Sequence, residues 1–196
     1  MSTPLILSFD TSAAHVAAAL LCGDQIVAHK VEDMKRGQAE RLMPMLEEIL
    51  AQSGKTWADL DAIGVGVGPG NFTGIRISVS AARGLALGLG IPAVGVNSFD
   101  AIEAGLTFAA APVVPGPRGQ GYVWPKDDSP YLASEEELAN IMQDVPLATP
   151  KADSLVAQIA RLAGQRYKNA PARPAPLYIK PADAAPPKDP APVILP

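Results

Sequence analysis

Three short apolar runs open the chain: Leu5 to Phe9, His15 to Cys22 and Gln25 to Val31, the last two joined by Gly23-Asp24. Runs of this length between polar turns predict strands, and a two-residue Gly-Asp link predicts a tight hairpin. The first run ends in Asp10-Thr11-Ser12. From Gln38 to Ser53 the rhythm becomes helical, with Gly54 as a C-terminal stop. Its apolar residues Leu42, Met43, Met45, Leu46, Ile49 and Leu50 cover an arc of about 160°, wider than the ~100° that one core contact requires. Pro44 lies inside the pattern and predicts a kink or a later start.

Ile63 to Val67 alternates apolar residues with glycine, which predicts a strand with one bare face that a backbone or ligand can approach closely. Thr73 to Leu89 is helical, with Ile75, Val79, Ala82, Leu85, Ala86 and Leu89 on one side, and Gly90-Ile91-Pro92 stops it. Ala93 to Val96 reads as a strand, and Asn97 or Ser98 caps a helix to about Ala110. Beyond Ala111 the signal thins. One strand is expected around Tyr122 to Trp124. Ser134 with Glu137 forms a capping box for a helix to about Gln143. Asp153 caps another, through Ile159 and Leu162, which Gly164 should stop. Pro176-Leu177-Tyr178-Ile179-Lys180 is apolar enough for an edge strand within a proline-rich end. The expected organisation is an N-terminal lobe over residues 1–110, a smaller second lobe over 111–181 and a proline-rich tail over 182–196.

Composition narrows the class. Hydrophobic residues are 48% and charged residues 18% of 196, as in a packed globule, and the net charge of −4 excludes a generally basic nucleic-acid clamp. Charge is nonetheless uneven: Arg161, Arg166, Lys168, Arg173 and Lys180 fall between Asp153 and Asp183 with no carboxylate among them. That stretch reads as a solvated surface or as a weak patch facing a polyanion. The single cysteine, Cys22, allows no internal disulfide and suits a reducing cytoplasm, with its apolar neighbours predicting a buried, inert thiol. The N-terminus shows no basic region or cleavage signal, and no apolar run reaches the ~18 residues of a membrane span. A cytoplasmic location is therefore expected.

The candidate chemistry centres on glycines. Gly68-Pro69-Gly70 is followed by Asn71-Phe72-Thr73, so the third glycine of a dinucleotide loop is missing, and Gly74 is followed by Ile75 rather than the lysine of a P-loop. What remains is a glycine turn entering a helix N-terminus, suited either to an anion or to close backbone packing. Asp10, Thr11 and Ser12 suit either a Mg²⁺-and-phosphate site or an Asx-type turn. Together these make Asp10, Thr11, Ser12, Gly68, Gly70, Asn71, Thr73 and Gly74 the candidate nucleotide or anion residues. His15 and His29 lack metal-binding spacing, no serine lies in a G-x-S-x-G elbow, and neither a catalytic residue nor a metal ligand is nominated. The broad first helical stripe and the second helix's polar side, Arg76, Ser80 and Arg83, read as interface material. With Arg41, Leu42, Met45, Leu46 and Ile49 they form the candidate partner surface. On this reading Leu46→Glu or Met45→Glu abolishes pairing while the fold survives, and the chain alone self-associates.

The order of elements resembles one half of the actin/Hsp70/sugar-kinase (ribonuclease H-like) α/β fold, with a complete N-terminal lobe and a reduced C-terminal one. More closely, "LILSFDTSAAHVAAALL", "QAERLMPMLEEIL" and "GVGPGNFTGIRISVSAARGLALGLGIPAVGV" resemble the bacterial TsaB (YeaZ) family, which serves tRNA threonylcarbamoyladenosine synthesis. The likeness runs from residue 5 to about 103, and the terminal "PLYIK" is similar to the family's closing strand. It implies a non-catalytic subunit that pairs, through two helices of each chain, with a catalytic paralogue (TsaD-type), and that is joined by a small ATPase (TsaE-type). The paralogue's metal-binding histidine pair is absent here. The likeness further implies no cofactor of its own, ATP or ADP at the level of the complex, a homodimer when alone, no membrane, and tRNA contacted indirectly. The alternative is a small ATP-dependent kinase or hydrolase of the same fold using Asp10, Thr11 and the glycine loop. A peptidase would need a metal or nucleophile that the sequence does not offer. The chain departs from the family after residue 111: "VVPGPRGQGYVW" holds Arg118 but no aspartate where the family has Asp-Ala-Arg, and the stretch to Asp153 is several tens of residues short.

Overall fold

The computed structural model describes residues 3–125, 128–169 and 172–179. Lys180 and the expected tail over 182–196 lie outside the described residues. The first sheet has the order β3-β2-β1-β4-β5, formed by β1 (Leu5–Asp10), β2 (His15–Cys22), β3 (Gln25–Asp33), β4 (Ala62–Gly66) and β5 (Ala93–Val96). β1 to β3 form an antiparallel meander, while β4 lies parallel to β1 and β5 parallel to β4. This is the ribonuclease H-like arrangement expected from the sequence. The second sheet, of order β8-β7-β6-β9, holds β6 (Ala111–Pro115), β7 (Gly121–Val123), β8 (Tyr131–Ala133) and β9 (Leu147–Ala148).

Alternation along the strands divides the first sheet into two faces. Leu5, Leu7, Phe9, Ile63 and Val65 point to one core, which also takes α1 (Gln38–Gln52) and α2 (Phe72–Leu89). Ile6, Ser8, Ala62 and Gly64 point the other way, towards α5 (Ala152–Arg166). That second face is small by design of the sequence. A Cβ on Gly64 would stand 2.9 Å from Ala163 Cβ, and Ser8 Oγ donates to the Val156 carbonyl of α5 at 2.9 Å. The bare glycine face thus admits a helix of the same chain.

α5 changes two expectations. It runs through Gly164, because an added Cβ there would come 3.2 Å from Leu21, and the missing side chain serves close helix–sheet contact rather than a stop. It also packs on β1, β2 and β4. The division at 110/111 therefore separates the two sheets but not the two packing units, since α5 belongs with the first sheet.

α3 (Ser98–Ala104), capped by Asn97, ends at Gly105 and not near Ala110, because the chain must extend into β6. α4 (Glu135–Asp144) starts with the expected capping box: Ser134 Oγ accepts from Glu137 N at 3.2 Å, and Glu137 Oε2 accepts from Ser134 N at 2.7 Å. α1 begins at Gln38, so Pro44 marks no later start and sits exposed inside the helix. Residues 176–179 form no strand. Leu177 N donates to the Val67 carbonyl at 2.8 Å, and its side chain packs against both cores. Cys22 is half-buried, not buried.

Candidate functional site

The turn after β1 and the glycine loop before α2 are latched together. Asp10 is fully buried, and its Oδ2 accepts from Ser12 N (3.0 Å), Ser12 Oγ (2.9 Å) and His15 Nε2 (2.8 Å). Its Oδ1 lies against Gly66, where a Cβ would collide with it. The bonds from Ser12 N and Oγ make Asp10-Thr11-Ser12 an Asx-type turn, and Oδ1 of Asp10 has no hydrogen-bond partner among the described residues. Thr11 Oγ1 donates to the Gly74 carbonyl at 2.6 Å, and Asn71 N donates to the Ser12 carbonyl at 2.6 Å. Asn71 Oδ1 caps α2 by accepting from Gly74 N at 2.8 Å. A Cβ on Gly70 would collide with the Ser12 carbonyl, and one on Gly74 with that of Thr11. The glycines therefore serve close backbone approach, while Thr73 is exposed on the first turn of the helix.

Two further residues complete the latch, and spacing did not reveal either. Gln38, the first residue of α1, donates through Nε2 to the carbonyls of Ala13 and His15, both at 2.7 Å. His15 starts β2, where the hairpin carries it back beside Asp10. The sole sequence cue is a histidine five residues after an aspartate, across a turn.

Ser12, His15, Gly70 and Asn71 line one wall of a cleft of about 600 Å³ between the two sheets; Pro115 and Tyr122 line the other. Among the described residues no lysine, arginine, aspartate or glutamate lines it. Among the described residues no group of three or more His, Cys, Asp or Glu side chains could hold a metal.

The candidate partner residues divide. Leu42, Met45, Leu46 and Ile49 are at most 1% exposed and belong to the core of the chain itself, which corrects their assignment to a partner surface. α1 lies on β2 and β3 and also touches α2. Two neighbours at an angle consume a wide apolar arc, and of the six stripe residues Met43 alone stays exposed. Arg41 is likewise held within the chain: its guanidinium bridges Glu32 (2.6 Å) and Glu48 (2.7 Å). Lys30 reaches the same Glu48 at 2.6 Å. Arg76, Ser80 and Arg83 are exposed on α2, as expected. Arg76 stacks over Phe72 and donates to Tyr178 Oη at 2.8 Å. Leu87, on the same side, is 80% exposed.

The ion network carries a pH signature. The Arg41 guanidinium, then Lys30, holds the Glu48 carboxyl down to about 2 from 4.5, and Arg41 lowers Glu32 in the same way. Because the folded-state values lie below the unfolded ones, this support is fully present above about pH 4.5 and is lost as pH falls towards 2. Acid titration followed by circular dichroism should show Arg41→Met losing less stability over that window than the parent chain. Equal losses would remove the network from the acid response.

The fold and this cleft define an α/β protein of the ribonuclease H-like class. The family model for TsaD, tRNA N6-adenosine threonylcarbamoyltransferase, matches residues 25–176. Uncharacterized proteins of Mycobacterium bovis and Mycobacterium tuberculosis are 32% identical over 203 residues, covering 92% of this chain and 94% of theirs. Among solved structures, YeaZ from Pseudomonas aeruginosa aligns with a TM-score of 0.68 at 23% identity, over 91% of this chain and all of that one. An uncharacterized Pseudomonas aeruginosa protein described as similar to peptidase YeaZ aligns at 0.73 with 22% identity, over 92% of this chain and 100% of that one. The chain belongs to the family of TsaD, tRNA N6-adenosine threonylcarbamoyltransferase. Among the described residues no helix is long and apolar enough to cross a membrane.

Proposed function

We propose that this chain is the non-catalytic, complex-organising subunit of the machinery that adds threonylcarbamoyl to the adenosine beside the tRNA anticodon. The observation that carries the reading is Asp10. The carboxylate best placed to hold a magnesium–phosphate group is fully buried and tied to Ser12 and His15, and among the described residues no Lys, Arg, Asp or Glu lines the cleft beside them. Such a cleft offers little to a triphosphate, which needs cations or a metal to offset its charge. The partners under this reading are a TsaD-type catalytic paralogue and a TsaE-type ATPase, with ATP or ADP used by the complex, a homodimer formed in the paralogue's absence, and a cytoplasmic site of action.

The pairing surface in this proposal is the outer side of α2, not the buried stripe of α1. Ser80, Arg83 and Leu87 share that side with Arg76, and Met43 of α1 is exposed too. A large exposed leucine beside small and arginine residues suits a helix–helix interface. Ser80→Trp and Leu87→Glu should each weaken pairing with the paralogue at least about tenfold in sedimentation velocity, with melting temperature nearly unchanged. Pairing that survives both variants would rule out this face. Magnesium-dependent ATP turnover by the isolated chain, lost in Thr11→Ala, would instead favour a small kinase or hydrolase.

A further inference from the structure

Two stretches of the chain are free of carboxylates. α2 contains Arg76 and Arg83 and no acid, and the sequence from Ser154 to Ala182 contains Arg161, Arg166, Lys168, Arg173 and Lys180 and no acid. The fold brings Arg83, Arg166 and Arg173 together around residues 172–174. On one side of this segment a cleft of about 550 Å³ is lined by Arg83 and Arg173 above Ala86 and Ile91. On the other, a cleft of about 470 Å³ is lined by Arg166 and Arg173 with Gln165 and Asn169. Arg173 borders both, and among the described residues no carboxylate lines either.

The ridge between the clefts is anchored. Pro174 is buried, and a Cβ on Gly95 would stand 3.3 Å from it; three residues on, Leu177 N donates to Val67. Arg166 is positioned by Asp100 at 3.0 Å and remains 43% exposed. A chain of net charge −4 thus places Arg166 and Arg173 side by side, while acids such as Glu135, Glu136 and Glu137 start α4 in the second lobe.

We propose that this ridge makes a direct contact with the phosphate backbone of RNA, Arg166 and Arg173 being the phosphate ligands and Gln165 and Asn169 supplying amide donors. The proposal rests on the reading that the chain works in tRNA modification, and it adds a contact that the family likeness assigns to other subunits. Guanidinium forks match phosphate oxygens in pairs, and arginine with side-chain amides is the usual donor set for the sugar–phosphate backbone.

The test is fluorescence anisotropy of a labelled tRNA transcript with the full chain across salt concentrations, with pairing to the paralogue measured separately by sedimentation. About two phosphate contacts predict a slope of log affinity on log salt of roughly −1.5 to −2. Arg173→Glu should weaken binding about tenfold or more and flatten the slope by about one, while Arg173→Lys retains most of the affinity. Arg173 lies outside α2, so pairing should be unchanged in Arg173→Glu, and RNA binding lost with pairing intact supports the ridge. Absence of binding at the lowest salt, or Arg173→Glu and Arg166→Glu both binding like the parent, overturns it. Displacement by poly-glutamate as effective per charge as by unlabelled transcript also overturns it, in favour of an acidic protein partner. If the chain fails to pair with the paralogue, the scaffold reading falls while the anisotropy result still decides the ridge.

Discussion

Leu46→Glu should leave the chain without a cooperative folding transition. Leu46 is fully buried in the core between β2, β3 and α2. Removing such a side chain alone costs about 2–5 kcal/mol, and the glutamate adds a buried carboxylate with no cation to meet it. Against the roughly 5–15 kcal/mol that holds a typical domain together, the sum is enough to unfold most of the population. Met45→Glu should behave alike, since Met45 is equally buried. Thermal and urea melts by circular dichroism check both. A parent-like melt for Leu46→Glu would return this face to the surface, where helical periodicity alone had placed it.

Gly74→Ala should destabilise the chain by about 1–3 kcal/mol or more, because the new methyl group runs into the Thr11 carbonyl oxygen and that backbone cannot retreat. Retreat is blocked from two sides. Thr11 Oγ1 holds the Gly74 carbonyl, and Asn71 N holds the Ser12 carbonyl, both at 2.6 Å. The same substitution at Gly88, on the exposed end of α2, meets nothing within 4 Å. There alanine should add up to about 1 kcal/mol through helix propensity. Urea melts of the two variants should therefore move in opposite directions. A neutral Gly74→Ala would show that the loop gives way, and would reopen the glycine turn as an anion site.

These two substitutions mark where one-dimensional patterns stop. The strands, the hairpin, the helix over Gln38–Gln52 and that over Phe72–Leu89 were legible because period and turn chemistry are local. The absence of a P-loop lysine and of a third glycine was equally local, and so was the Gly-Pro-Gly-Asn entry to α2. The string "GPGNFTGIRI" also carried the family likeness, which the match over residues 25–176 supports.

Tertiary structure decided which body covers each apolar face. Periodicity reports the width of a stripe, not its neighbours, so the arc of α1 looked surplus until α2 and the sheet were seen to share it. The bare face of β4 was legible as a place of close approach, yet its occupant, α5, lies far along the chain: Ser8 bonds Val156 across 148 residues. His15 acquired a partner because a hairpin folds it onto Asp10, and Arg173 meets Arg83 because an anchored segment crosses beside α2. Local order follows from the residues themselves. Contacts between distant segments follow from how the whole chain fills space, and the choice between core, cleft and partner surface belongs to those contacts.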